Sequence, residues 1–182
     1  FNFFSRTTAQ ASSAVLSRGV FVRNIKMPLE ALPVSKLFNS IFSHLFELLI
    51  LGGVMLYFGV SLVGLLFYPL VFLILCFFVL GVSFILASVG VYVGDLENAW
   101  RVFVRILWFG TPIFYSLSKG ALYKANLFNP MFYLISLGRE FVVYGRLPEL
   151  WVLGGAAGFA IAFFLVGILV FRKFKSKFPE NV

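Results

Sequence analysis

Residues 63–93 form an apolar run without one charged side chain, with Pro69 near its start. A soluble core of this size has no room for such a segment, but a bilayer does. At about 1.5 Å per residue, roughly 20 apolar residues cross about 30 Å of hydrocarbon. Three more runs join it, at 38–58, 102–116 and 151–171. The first and last are long enough to span. The 102–116 run is short and ends in "GTPIFYS". Pro69 predicts a kink in the 63–93 span or a short turn before it. Loop signals separate the runs: "FGVS" at 58–61, "GDLENAWR" at 94–101, and a connector from 117 to 150. The expected fold is an all-α polytopic membrane protein with four transmembrane helices in a single domain, 1–182.

Composition agrees. Hydrophobic residues make up 61% and charged residues only 12%, against about 25% charged in soluble domains. The net charge of +8 forms no nucleic-acid surface, because the basic residues flank the apolar runs. One cysteine, Cys76, excludes a disulfide framework within the chain. Four spans place both termini on one side. On that side lie Arg6, Arg18, Arg23, Lys26, Lys36, Arg101, Arg105, Arg172, Lys173, Lys175 and Lys177. Lys119, Lys124, Arg139 and Arg146 lie on the other. The positive-inside rule makes the first side cytoplasmic, with 172–182 a cytoplasmic tail.

Two segments depart from simple spanning. Residues 127–144, "LFNPMFYLISLGREFVVY", run apolar into Arg139 and Glu140, a costly pair inside a full span. A re-entrant or interfacial helical segment on the outer face is expected there. Residues 24–36 hold Pro28 and Pro33 around "PLEAL". Proline suits the first turn of a helix, so each can start one. The expected form is a one-turn helix across the cytoplasmic surface, with Pro33 opening the span and Leu29 and Leu32 making a small apolar face. It is either a docking elbow for another protein or a plain interfacial turn. The stretch 1–22 begins at Phe1 and reads as the inner end of a preceding membrane helix, so a natural start further upstream is expected.

"RNIKMPLEALPVSKLFNSI" resembles the segment after the second membrane helix of type 2 ABC exporter permeases of the polysaccharide-export group. "VGDLENAWRVFVRILWFGTPIFYS" resembles that family's cytoplasmic loop and fifth helix, and "LFNPMFYLISLGRE" its N-P-x-x-Y motif and following Arg. The resemblance covers nearly the whole chain. It implies six membrane helices, of which this chain holds the last four and the inner end of the second. It also implies a homodimer with two separate nucleotide-binding ATPase subunits. The elbow then becomes a coupling helix, with Lys26, Pro28, Leu29, Glu30, Leu32 and Pro33 its contact residues. ATP and Mg would bind the partner, and no cofactor is expected here. The absence of a G-x-x-x-x-G-K-[ST] phosphate loop agrees.

A translocating glycan could slide over aromatic faces. Trp100, Trp108, Phe109, Phe114 and Tyr115 on or near the third span, with Phe132 and Tyr133 on the re-entrant segment, are candidates for that path or ordinary lipid-facing rings. Thr111 and Pro112 mark a gate hinge or a helix end, and Asn129, Pro130 and Arg139 complete the channel or gate set. Arg139 and Glu140 meet acidic sugars or headgroups, or form a solvated interfacial pair. His44 and Glu47, three apart, read as a buried polar pair facing the subunit interface or the channel rather than a proton-transfer pair, with Glu47 alternatively paired to a residue of the missing helices; two ligands define no metal site. Asp95 is placed to cap a helix, and Glu97 and Arg101 to pair on its surface. Gly154 and Gly158, with Gly155 beside them, offer a close-packing motif. No catalytic residue set stands out. The expected function is export of a lipid-linked polysaccharide of the O-antigen, capsule or teichoic acid type across the cytoplasmic membrane. Export of a drug or lipid, and a non-transporting scaffold, are the alternatives.

Overall fold

The computed structural model describes residues 1–18, 28–60, 62–114 and 120–178. Among them are seven α-helices and no strand: α1 (Asn2–Ser12), α2 (Ala31–Tyr57), α3 (Tyr68–Gly90), α4 (Leu96–Gly110), α5 (Ala121–Asn126), α6 (Pro130–Gly138) and α7 (Leu150–Phe174). A five-residue π turn, Arg139–Val143, continues α6. Three of these helices, α2, α3 and α7, are long and apolar enough to cross a membrane. The expected fourth span falls on α4, whose 15 residues reach only about 22 Å. Its length falls short because Pro112 lacks the N–H that would continue the ladder and disfavours α geometry at Thr111, which is extended.

Helix α3 is the hub. It packs on α7, α1, α2, α4 and α6. Helices α3 and α7 run parallel, with Phe77 on Phe164, Phe78 on Phe163 and Phe84 on Phe171. Their backbones touch at two glycines. A Cβ on Gly81 would overlap the Phe163 main chain, and one on Gly167 would overlap Gly81 itself. Gly90 does the same for the end of α1, meeting the Ser12 carbonyl. The expected Gly154 and Gly158 motif makes no such approach: nothing lies within 4 Å of either added Cβ. Only Gly155 is crowded, beneath the Tyr133 ring.

Each end of the bundle is defined by what meets there. At one end Ala14, Val15, Leu32, Phe84, Ala87, Val91, Phe171 and Phe178 form an apolar cluster. The end of α1, the start of α2 and the ends of α3 and α7 therefore lie together. At the other end Phe67 stacks on Phe141 and Gly64 abuts its carbonyl. Several small polar side chains within helices are satisfied locally. Thr7, Thr8 and Ser88 donate to the carbonyls four residues back.

Two expected boundaries move. The 38–58 run starts its helix at Ala31, so Pro33 sits within the first turn, where its missing N–H costs nothing. "PLEAL" is thus not a separate surface helix. Pro28 to Glu30 form a turn, with Ala31 N–H donating to Pro28 O at 2.9 Å, leading straight into α2. The 63–93 run splits at Phe67 into a 3-10 turn, Leu62–Leu66, and α3, with Pro69 in the first turn of α3.

Candidate functional site

The elbow is fastened from behind. Pro28 is exposed, Leu29 and Glu30 are half-buried, and Leu32 and Pro33 are buried. Leu32 therefore serves the bundle rather than a docking face, because it joins the cluster with Phe171 and Phe178. Lys175 Nζ, just past α7, donates to Glu30 Oε1 at 2.7 Å. That hydrogen bond holds the Glu30 carboxyl below its ordinary value. Pro28, Leu29 and Glu30 keep exposed surface, although Leu29 also packs against that cluster. Lys26 lies outside the described residues.

At the end of α4 the sequence-predicted gate residues come together. Thr111 Oγ1 donates to Leu107 O at 2.7 Å and accepts from Asn129 Nδ2 at 2.9 Å. Asn129 is also the N-cap of α6, its Oδ1 accepting from Met131 N–H at 3.0 Å, with Pro130 at the first helical position. Asn129 Nδ2 further donates to Asn126 Oδ1 at 3.2 Å. Arg139 Nη2 donates to the carbonyls of Pro112 and Ile113, both at 2.9 Å. These are carbonyls that a broken helix leaves without partners. One clasp, built from two side-chain amides, a hydroxyl and a guanidinium, thus ties the end of α4 to the hairpin of α5 and α6.

That assignment resolves the Arg139 and Glu140 pair. The two do not bond each other. Arg139 grips the carbonyls after α4, while Arg146 holds Glu140 through two nitrogens and depresses its carboxyl. Neither side chain is the simple solvated pair expected.

The aromatics divide. Tyr133 is buried, its hydroxyl donates to Leu127 O at 2.8 Å, and its ring meets Trp151 and Phe159. Tyr133 thus packs the hairpin onto α7 rather than offering an open face, while buried Phe132 meets the rings of Tyr123 and Tyr133. Trp100 donates from Nε1 to Thr8 Oγ1 at 2.8 Å and stacks on Phe103. Trp108 packs edge-on against Phe109 and Phe114. Tyr115 lies outside the described residues. An open apolar groove of about 670 Å³ runs from Trp100 and Phe103 past Leu107 to Phe128, Asn129 and Pro130, so the clasp closes one end of it. Phe103 and Phe128 line it without having been singled out from the sequence.

Of the remaining candidates, Glu97 and Arg101 pair as spaced. Asp95 occupies the N-cap position without capping: its carboxylate accepts from the Asn98 amide at 2.5 Å. His44 pairs with Glu47 at 2.8 Å, and its other nitrogen meets Tyr68, a partner 24 residues away with no local signal. Asn126 was also missed, although its i,i+3 spacing to Asn129 was readable. Among the described residues no group of three His, Cys, Asp or Glu side chains could hold a metal.

Three membrane-length helices, a proline elbow fastened at one end of the bundle and a clasped hairpin beyond a short helix describe a multi-helix membrane protein. Along 99% of its length the chain is similar to the O-antigen export system permease protein RfbA of Myxococcus xanthus. The two are 25% identical over 187 residues, which cover 71% of that protein. No family model matches the chain. The similarity agrees with the resemblance to type 2 ABC exporter permeases, and the three long apolar helices agree with a location in a membrane.

Proposed function

We propose that this chain is the membrane subunit of an ATP-driven exporter of a lipid-linked polysaccharide of the O-antigen, capsule or teichoic acid type. The observation that carries this reading is the similarity to an O-antigen export permease across 99% of the chain. In this reading the protein acts as a homodimer, and the end holding the elbow faces the cytoplasm. A separate ATPase subunit docks on Pro28, Leu29 and Glu30. Its closure pushes the elbow, and the push travels along α2 and, through Lys175 and the Leu32–Phe171 contact, along α7. The hairpin is re-entrant from the outer face, and α4 together with it completes the fourth crossing. Opening requires Arg139 to release the Pro112 and Ile113 carbonyls, which parts α4 from the hairpin beside the aromatic groove.

The test is deletion of the gene and restoration with wild-type protein or with Leu29→Asp, scoring polymer at the cell surface and sensitivity to amphipathic drugs. Polymer lost on deletion, restored by wild type and not by Leu29→Asp supports the reading. Unchanged polymer with altered drug sensitivity would replace the glycan by a small amphipathic cargo.

A further inference from the structure

Midway along α2 lies polar chemistry that neither the elbow nor the clasp uses. His44 Nδ1 stands 2.8 Å from Glu47 Oε2, and His44 Nε2 stands 2.6 Å from the Tyr68 hydroxyl. An ionised carboxylate only accepts, so Nδ1 carries the proton and Nε2 accepts from Tyr68. The imidazole also stacks on Phe72 with centroids 5.0 Å apart. These contacts position Glu47 at a cavity of about 350 Å³ between α1 and α2. Arg6, Asn2 and Ser5 wall it from α1, and Ser40 and Ser43 from α2. Ser40 is 3% exposed, yet its hydroxyl has no hydrogen-bond partner. A buried hydroxyl left unpaired is costly until something meets it. Glu47 is half exposed, 50% by its side chain, at a depth where a carboxylate facing hydrocarbon is disfavoured.

The walls select the occupant. Arg6 repels a cation, Glu47 repels an anion, and hydroxyls and amides reject an acyl chain. A proton relay from Glu47 through His44 ends at Tyr68, which has no onward hydrogen bond among the described residues. A neutral molecule with several hydroxyls fits, since each hydroxyl both donates and accepts. It can satisfy Ser43, Glu47 and Arg6 together. The volume corresponds to about twelve waters at ~30 Å³ each, room for a sugar ring. We infer that this cavity is a sugar-binding site that takes a neutral sugar residue of the exported glycan, an inference that rests on the export reading. Glu47 contacts the sugar, and His44 and Tyr68 are its positioning residues.

The experiment uses the exporter assembled with its ATPase in lipid nanodiscs. Ser43→Cys and, separately, Ser5→Cys are placed in a Cys76→Ala background. The labelling rate with a charged methanethiosulfonate is read with and without repeat-unit oligosaccharide cut from the host's own surface polymer. Labelling at Ser43→Cys slowed at least fivefold by the oligosaccharide, with that protection lost on adding Glu47→Gln, is expected. Ser5→Cys, on the α1 wall of the cavity, gives an independent reading if the first variant folds poorly. No labelling at either position, or labelling indifferent to the oligosaccharide, overturns the site. The same strains are scored for surface polymer. Normal export without protection defeats this inference alone, whereas polymer that persists in the deletion strain defeats the export reading and the site with it.

Discussion

One amide on Asn129 does two jobs that substitution can separate. Its Oδ1 caps α6, and its Nδ2 reaches Thr111 and Asn126. Asn129→Asp keeps the capping oxygen and loses the donors, while Asn129→Ala loses both. Loss of a cap costs about 1 kcal/mol. The Ala variant is therefore expected to melt at a lower temperature than the Asp variant in detergent, with surface polymer reduced severalfold in both. Wild-type export by the Asp variant would sever the clasp from transport. Thr111, Pro112, Asn129 and Pro130 were legible because helix stops and starts are written in local residue types. Arg139 was legible as a charge stranded in an apolar run. Their partners were not: Lys175 lies 145 residues from Glu30, and no local pattern encodes such a contact. Tyr133 misled for the same reason, since whether a ring lines a path or packs a core depends on the neighbouring helix.

Among the elements, the glycines give the clearest contrast. Gly81→Val would drive a side chain into the Phe163 backbone, which cannot yield as a flexible side chain would. Overpacking of this kind costs about 1–3 kcal/mol or more, and loss of monodisperse protein on gel filtration is the expected result. Gly154→Ala and Gly158→Ala meet nothing, so they should leave stability within about 0.5 kcal/mol or raise it through helix propensity. The G-x-x-x-G spacing was visible in the sequence, but spacing does not say which helix face meets a neighbour. The existence of α2, α3 and α7 was legible because hydropathy reports it directly; their bounds were less so, since α2 starts at Ala31 rather than 38 and α3 at Tyr68 rather than 63. The elbow's fastening makes a second test. Glu30→Lys and Lys175→Glu each oppose like charges, and the double swap restores the pair. Exposed pairs contribute only about 0–1 kcal/mol, so melting should barely move. Export is expected to fall severalfold in each single variant and recover in the double. The Glu30 carboxyl sits below its ordinary 4.5, so the pair's contribution is full above that value and is lost as pH falls through the lowered one.

At the scale of the whole molecule, the two candidate sites occupy different places along the same bundle, and the mechanism stands or falls on their communication. The clustering of Ala14, Leu32, Val91 and Phe171 at one end matches what the distribution of Lys and Arg implied about which segments share a side. The clasp lies beyond the far end of α4, and the proposed mechanism requires motion there. Joining Thr111→Cys to Asn129→Cys with a short thiol cross-linker, in a Cys76→Ala background, would lock the side chains that now meet at 2.9 Å. The protein would keep its fold, because the link reinforces a contact already made. Polymer export is expected to stop on cross-linking and to return when a reducible linker is cleaved. The same treatment of either single-cysteine protein should change nothing. Export that continues through the cross-link would mean that α4 and the hairpin move as one piece. The gate would then have to lie elsewhere, with the open face of α2 the next place to look, since Phe42, Phe46 and Leu49 stand exposed along it with no neighbour among the described residues to cover them.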